Sequence, residues 1–149
     1  MNLFGVMHVS GAGLQVQRIR AEVVATNMAN AETTRTEDGT PYQRRNVILQ
    51  AGAGSDFVHI TGSMGSTGPG HDGSNAVEVA AVMPSSAPPL LRYDPTHPDA
   101  DSSGFVAYPD INPLTEMVDL MGASRAYSLN AGALQAEKGM LTASLDLLK

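Results

Sequence analysis

The chain contains no cysteine and no tryptophan. Without cysteine, a disulfide framework and a thiolate metal site are both excluded, while the compartment stays open. Three Phe and four Tyr are the whole aromatic supply, and hydrophobic residues make up 42% of the 149 positions. That length fits one domain, but few large side chains are available to fill its core. Positive charge is also scarce: nine Lys and Arg stand against fifteen Asp and Glu, for a formal net charge of −6. The basic residues are scattered apart from Arg44–Arg45, which argues against nucleic acid as a partner. No apolar run approaches the ~20 residues of a membrane span, so direct membrane insertion is not expected. The first residues lack the charged start and unbroken apolar core of a secretory signal, because Gly11, Gly13, Gln15 and Gln17 interrupt them. Any export is therefore expected to proceed without a cleaved signal peptide.

Apolar periodicity is present instead, concentrated at both ends. Residues from about Leu3 to Asn30 read as a helix, roughly 40 Å long. Leu14, Ala21, Val24 and Met28 form one stripe on it, and Val16, Ile19 and Val23 an adjacent one. The second helix begins at Asn112-Pro113, with Asn as N-cap, Pro at the first helical position and Glu116 in the first turn. It is predicted to run to about Leu148. Met117, Leu120, Ser124, Tyr127, Ala131, Leu134, Lys138, Leu141, Leu145 and Leu148 follow an unbroken 3,4 spacing along it, the pattern of a coiled-coil seam. Such a seam needs a partner helix, either the first helix or the same helices of other molecules.

Between the helices the sequence changes character. Glu37-Asp38-Gly39-Thr40-Pro41 is a turn signal. Strands are predicted over Tyr42–Gln50, Val77–Met83, Leu90–Tyr93 and Phe105–Tyr108. Ala51 to Asn75 is rich in Gly and Ser and reads as a surface insertion, with Phe57–Ile60 a candidate short strand. The expected fold class is α+β: long N- and C-terminal helices paired as an antiparallel coiled coil, carrying a small β-rich middle lobe. The corresponding segments are 1–34, 35–110 with the insertion at 51–76, and 111–149.

Few groups on this chain suggest reaction chemistry. From Asp99 the spacing imitates a calcium loop, with Asp101, Ser103, Gly104 and Asp110 at later positions. Asp110 is shorter than the usual Glu, Pro109 blocks the start of an exiting helix, and no helix leads in. A polar turn whose carboxylates bond local amides is the expectation. His8, His59, His71 and His97 do not pair at helical spacing, and no nucleophile elbow occurs. The glycines at 52, 54, 62 and 65 precede no Gly-Lys-Ser/Thr. No catalytic, metal-binding or cofactor-binding residues are assigned, and no cofactor is expected. Asn27 and Asn30 share the face at the end of the first helix. They either cap that helix or bond a neighbouring subunit, and the residues alone leave both readings open.

Ala25-Thr26-Asn27-Met28-Ala29-Asn30-Ala31, continued by Asp38-Gly39-Thr40-Pro41-Tyr42, resembles the signature of bacterial flagellar rod and hook axial proteins. The stretch Tyr93-Asp94-Pro95-Thr96-His97-Pro98-Asp99-Ala100-Asp101, with Gly104-Phe105-Val106 and Pro109-Asp110-Ile111-Asn112, is similar to the proximal-rod members. So is Glu116-Met117-Val118-Asp119-Leu120-Met121 with Ala123-Ser124-Arg125-Ala126-Tyr127 and Asn130. Phe105 stands where Tyr is more usual, and the insertion is not covered. The resemblance implies a structural, non-enzymatic subunit of the periplasmic rod of the flagellar basal body. Such a subunit travels through the flagellar type III export apparatus and joins a helical tube of its own copies, other rod subunits and the basal-body base. A distal-rod or hook subunit is the nearest alternative, and a metal-binding module centred on Asp94–Asp110 a remote one. The residues expected to carry subunit assembly are Leu14, Ala21, Val24, Asn27, Met28 and Asn30 on the first helix, with Met117, Leu120, Tyr127, Leu134, Leu141, Leu145 and Leu148 on the second.

Overall fold

The computed structural model describes residues 3–51 and 76–147. The element order is α1 (Leu3–Ala29), β1 (Arg45–Ala51), β2 (Val77–Pro84), β3 (Leu90–Tyr93), β4 (Phe105–Tyr108) and α2 (Pro113–Asp146). The class is α+β, with two helices and two small two-stranded antiparallel sheets, β1-β2 and β3-β4. Phe57–Ile60, the insertion around it and Leu148 lie outside the described residues.

Two compact units divide the chain. One comprises Ile19–Ile48 and Ala81–Ala123. Within it, β3 and β4 pair with Leu90 opposite Tyr108 and Tyr93 opposite Phe105. Strand periodicity then puts Leu90, Arg92, Val106 and Tyr108 on one face. Val106 on that face is 0% exposed, whereas all four residues of β3, on both faces, are exposed. The connecting loop is held by its own polar side chains. Asp101 accepts from the Ser103 and Phe105 amides, and Asp94 accepts from the amide and hydroxyl of Thr96. Gly104 has φ of +79°, and a Cβ there would stand 2.9 Å from the Tyr93 ring, so the turn requires glycine.

The turn signal at 37–41 closes as predicted, with Thr36 N–H donating to the Thr40 carbonyl at 2.8 Å and Gly39 at φ +75°. The first strand does not start at Tyr42, as the β-propensity of 42–50 suggested, but at Arg45. Tyr42 N–H is drawn back to the Thr33 carbonyl instead. Helix α2 begins where its caps predict: Asn112 Oδ1 accepts from Leu114 N–H, and the Asn112 carbonyl from Glu116 N–H.

The other unit comprises Met1–Arg18, Leu49–Ala80 and Ser124–Lys149. Its described buried side chains are Val16, Ala76 and Glu137. Two contacts there join α1 to α2. Ser10 Oγ donates to Glu137 Oε1 at 2.9 Å, and Gly13 lies so close to Asn130 that a Cβ would stand 2.8 Å from its amide nitrogen.

Candidate functional site

The assembly residues expected from the sequence fall into distinct environments. On α1, Val24 and Asn27 are buried, and Leu14, Ala21, Met28 and Asn30 are half-buried. On α2, Leu120, Leu134 and Leu141 are half-buried, whereas Met117, Tyr127 and Leu145 are exposed. The sheltered row on α2 runs through Glu116, Leu120, Ala123, Asn130, Leu134, Glu137 and Leu141. It coincides with the 3,4 seam at three leucines and elsewhere lies one position to its N-terminal side. Two glutamates occupy it, which no hydropathy pattern anticipates.

Beside that row α2 carries exposed apolar side chains. Leu114, Met117, Val118 and Met121 are all exposed in one unit, and Leu129, Met140, Leu145 and Leu147 in the other. Leu129 is 75% exposed and Leu147 88%. Single surface leucines are ordinary, but α2 exposes seven of these apolar residues along its 34 positions, with Leu147 just past its end.

The end of α1 is tied down by polar groups. Asn27 is 1% exposed and Glu116 is 1% exposed. Asn27 Oδ1 accepts from Tyr42 Oη at 3.0 Å and from Arg45 N–H at 2.9 Å. Its Nδ2 donates to the Arg45 carbonyl at 2.9 Å and to Glu116 Oε2 at 3.2 Å. These bonds use the full capacity of the Asn27 amide within its own chain. Glu116 Oε1 meets Arg44 Nε at 2.7 Å, and the same guanidinium reaches Asn46 at 2.6 Å and Asp119 at 3.8 Å. Arg44 carbonyl accepts from Ser85 N–H at 2.7 Å. Burial pushes the Tyr42 phenol above the usual tyrosine range, with Arg45 opposing and Glu116 reinforcing the shift.

Asn30 behaves differently. Its Nδ2 donates to the Thr26 carbonyl and its Oδ1 accepts from Thr33, so it closes the helix end locally. In the Asp94–Asp110 loop, Asp94 and Asp101 bond local donors, whereas Asp99 accepts from the distant Thr34 Oγ1 at 2.8 Å. The Thr96 hydroxyl and then its amide hold the Asp94 carboxyl below its ordinary value. Among the described residues no group of three or more His, Cys, Asp or Glu could hold a metal ion, and no helix is long and apolar enough to cross a membrane.

Sequence reasoning missed Glu116 and Glu137 as interior residues. Their neighbours in sequence carry no hint of burial. The signal for Glu116 lies 72 and 89 positions away, in Arg44 and Asn27.

Comparison with known proteins gives a consistent result. Residues 102–147 match the family model of the flagellar basal body rod FlgEFG protein C-terminal region. The whole chain is similar to the flagellar basal-body rod protein FlgC of Bacillus subtilis (strain 168), at 40% identity over 153 residues that cover 100% of each chain. The FlgC protein of Borreliella burgdorferi is 35% identical over 160 residues, covering 100% of this chain and 99% of its own. That of Salmonella typhimurium is 35% identical over 147 residues, covering 99% and 98% respectively.

Proposed function

The chain belongs to the FlgC family of flagellar basal-body rod proteins, and from that premise we propose that it builds the proximal part of the rod by packing its two helices into a tube. It is a structural subunit of the flagellar basal-body rod, located in the basal body and serving motility. The finer reading concerns how it assembles. In it, α1 and α2 pair antiparallel as the axial core, segments 1–34 and 111–149, and the segment 35–110 rides on that core as a lobe. Within one unit, Ser10 meets Glu137 and Gly13 meets Asn130, so partner numbers fall as position rises, which is the antiparallel sense.

The observation that carries the assembly reading is the uncovered apolar face of α2. A helix that is alone in water gains little from its own hydrogen bonds and relies on burying such a face. A tube requires one patch to meet a different patch on the next molecule, since self-matching patches close into dimers. The exposed apolar side chains of α2 and those of Val6 and Val9 on α1 supply two unlike patches. The partners are further copies of this chain, other rod subunits and the basal-body base, reached after passage through the flagellar type III export apparatus. As in a drive shaft, the work of the chain is to hold shape under torque, and no reaction chemistry is assigned to it.

The test is direct. In the cell that makes it, a tagged copy of the full chain is expected to co-purify with isolated basal bodies, and cells lacking the chain are expected to yield basal bodies without a rod. Intact rods in its absence would overturn the reading.

A further inference from the structure

The geometry points to Asn27 as a positioning residue that acts as a surrogate strand rung, joining the end of α1 to the start of β1 and handing the pair to Glu116 at the start of α2. A residue in a strand offers its neighbour one N–H and one C=O, and in an antiparallel hydrogen-bonded pair both are matched by one opposing residue. The Asn27 side-chain amide does this for Arg45. Its Oδ1 takes the Arg45 N–H at 2.9 Å, and its Nδ2 gives to the Arg45 carbonyl at 2.9 Å. Arg45 is the first residue of β1. At Arg45 a helix side chain therefore supplies the rung, in a strand that pairs with β2.

The amide has two remaining valences. The second Nδ2 hydrogen goes to Glu116 Oε2 at 3.2 Å, and the second Oδ1 lone pair takes the Tyr42 hydroxyl. Glu116 is then balanced by Arg44 on its other oxygen. Three segments far apart in sequence thus meet on one side chain that is 1% exposed. Only an amide can do this. A carboxylate offers no donor, an aliphatic side chain offers nothing, and glutamine would carry the same groups one bond further out. A buried polar group with every bond made specifies one arrangement, because any slip strands donors and acceptors away from water. A one-residue shift of β1 would present Arg44 or Asn46 to the amide in the wrong orientation, since strand bonding alternates sides.

The charged and titratable groups around Asn27 are Tyr42, Arg44 and Arg45 on the segment leading into β1, with Glu116 and Asp119 on α2. This set makes the replacement Asn27→Asp diagnostic. Aspartate removes both donors and places a second carboxylate against Glu116. Like charges so close raise the proton affinity of the pair, so acid relieves the damage. Adding Glu116→Gln removes the repulsion. The new amide on α2 can donate through its Nε2 to the aspartate on α1 and still accept from Arg44 through its Oε1.

The experiment measures thermal unfolding of the purified full chain by the near-ultraviolet dichroism of its tyrosines, together with hydrogen exchange at the Arg45 amide, at pH 7 and pH 5. Asn27→Ala sets the baseline for simple loss of the amide. Asn27→Asp is expected to fall further than Asn27→Ala at pH 7, by roughly 5–10 °C, and to recover towards it at pH 5. Asn27→Asp with Glu116→Gln is expected to regain most of that extra loss at pH 7, to lose the pH dependence, and to restore swarming in cells where Asn27→Asp alone abolishes it. Slow exchange at the Arg45 amide is expected in the parent chain and the double variant only. Equal losses in Asn27→Ala and Asn27→Asp at both pH values overturn the role. If Asn27→Asp does not fold at either pH, the double variant decides: recovery with slow exchange at the Arg45 amide supports residue 27 as the link from α1 to β1 and Glu116, and continued failure overturns it.

Discussion

The two compact units solve the same problem in opposite ways. In the unit built from 19–48 and 81–123, buried polar groups are matched inside the chain: Asn27 makes its full set of bonds, and Glu116 has Arg44 and Asn27 on its two oxygens. In the unit containing 1–18 and 124–149, Glu137 is 5% exposed with Ser10 on one oxygen, while its other oxygen and the Gln17 carbonyl are buried without a hydrogen-bond partner. There, too, apolar side chains of α2 are exposed at Leu129, Met140 and Leu145, with Leu147 just past its end. One unit is specified by its own side chains. The other leaves buried polar atoms unmatched and is in that sense incomplete, while exposed apolar side chains of α2 occur in both units. Polar specificity and incompleteness are thus separated along each helix, with the change near Arg18–Ile19 on α1 and Ala123–Ser124 on α2.

The largest effect is expected where the incomplete unit must be completed. Leu134→Asp should abolish rod assembly and swimming while the protein is still made. Burying a leucine contributes ~1.5–3 kcal/mol, and a carboxylate in its place adds the cost of an unpaired, desolvated charge. Every copy in the tube carries the defect. The check is electron microscopy of basal bodies, and complete rods built from Leu134→Asp subunits would remove α2 from the assembly surface. Ser85→Asp, outside the helices, serves as the control and should leave the rods intact.

Next in size is a contrast between two buried glutamates on one helix. Glu116→Leu leaves Asn27 Nδ2 and Arg44 Nε without their carboxylate and should cost ~3 kcal/mol. Arg44 keeps Asn46 and Asp119, which holds the loss at the lower end of that range. Glu137→Leu removes a carboxylate that is only half satisfied, so the loss of the Ser10 bond is offset by relief of an unpaired oxygen. Its effect should stay within about 1 kcal/mol, in either direction. Denaturant unfolding of the two variants measures the difference. If both cost the same, the units are not distinguished by polar satisfaction.

How far the sequence discloses this contrast depends on the range of the interactions. Both helices, the strands β3 and β4 and the cap at Asn112-Pro113 follow from local signals: period, β-branched runs and capping chemistry reside within a few residues. The start of β1 was displaced from Tyr42 to Arg45 because Tyr42 is claimed by Thr33 through its backbone and by Asn27 through its hydroxyl. The sheltered row on α2 drifted off the expected seam because Glu116 and Glu137 lie in it. A glutamate reads as solvent-facing unless its distant partners are known, and Arg44 and Asn27 are invisible from position 116. Asn27 itself stood out by motif, but its bonding to Arg45 has no signature in spacing. The family, by contrast, was legible because its motifs cover the helix ends and the Asp94–Asp110 loop.

A smaller effect should appear in alkali, in the specified unit. Tyr42 donates its phenolic hydrogen to Asn27, and burial raises its pKa above the ordinary value of about 10. The neutral form is the one the fold favours. Its contribution is therefore complete below the unfolded value and is lost as pH rises through the higher folded one. Tyr42→Phe should cost about 1 kcal/mol near neutrality and should flatten the loss of stability above pH ~10. Unfolding curves between pH 8 and pH 11 would test it, and an unchanged alkaline slope in Tyr42→Phe would place the titrating group elsewhere.

The smallest effect separates two glycines on the same stretch of α1, both in the incomplete unit. Gly11 has nothing within 4 Å of the position a Cβ would take, whereas at Gly13 a Cβ would lie 2.8 Å from Asn130 Nδ2 and 3.2 Å from its Cγ. A helix-interior glycine costs up to ~1 kcal/mol against alanine, through the freedom it loses on folding. Gly11→Ala should recover most of that and raise the helical content of the free subunit. Gly13→Ala gains the same propensity but forces the Asn130 amide aside, and a side chain that must leave its well costs about as much as the propensity supplies. Its net effect should lie near zero where α1 and α2 are in contact, and should match the gain of Gly11→Ala where they are apart. Far-ultraviolet dichroism of the two variants therefore reads whether the helices already touch before assembly. Equal gains in the free subunit would mean that α1 meets α2 only in the rod, and a gain at Gly11 alone would mean that the contact at Gly13 is made by the subunit itself.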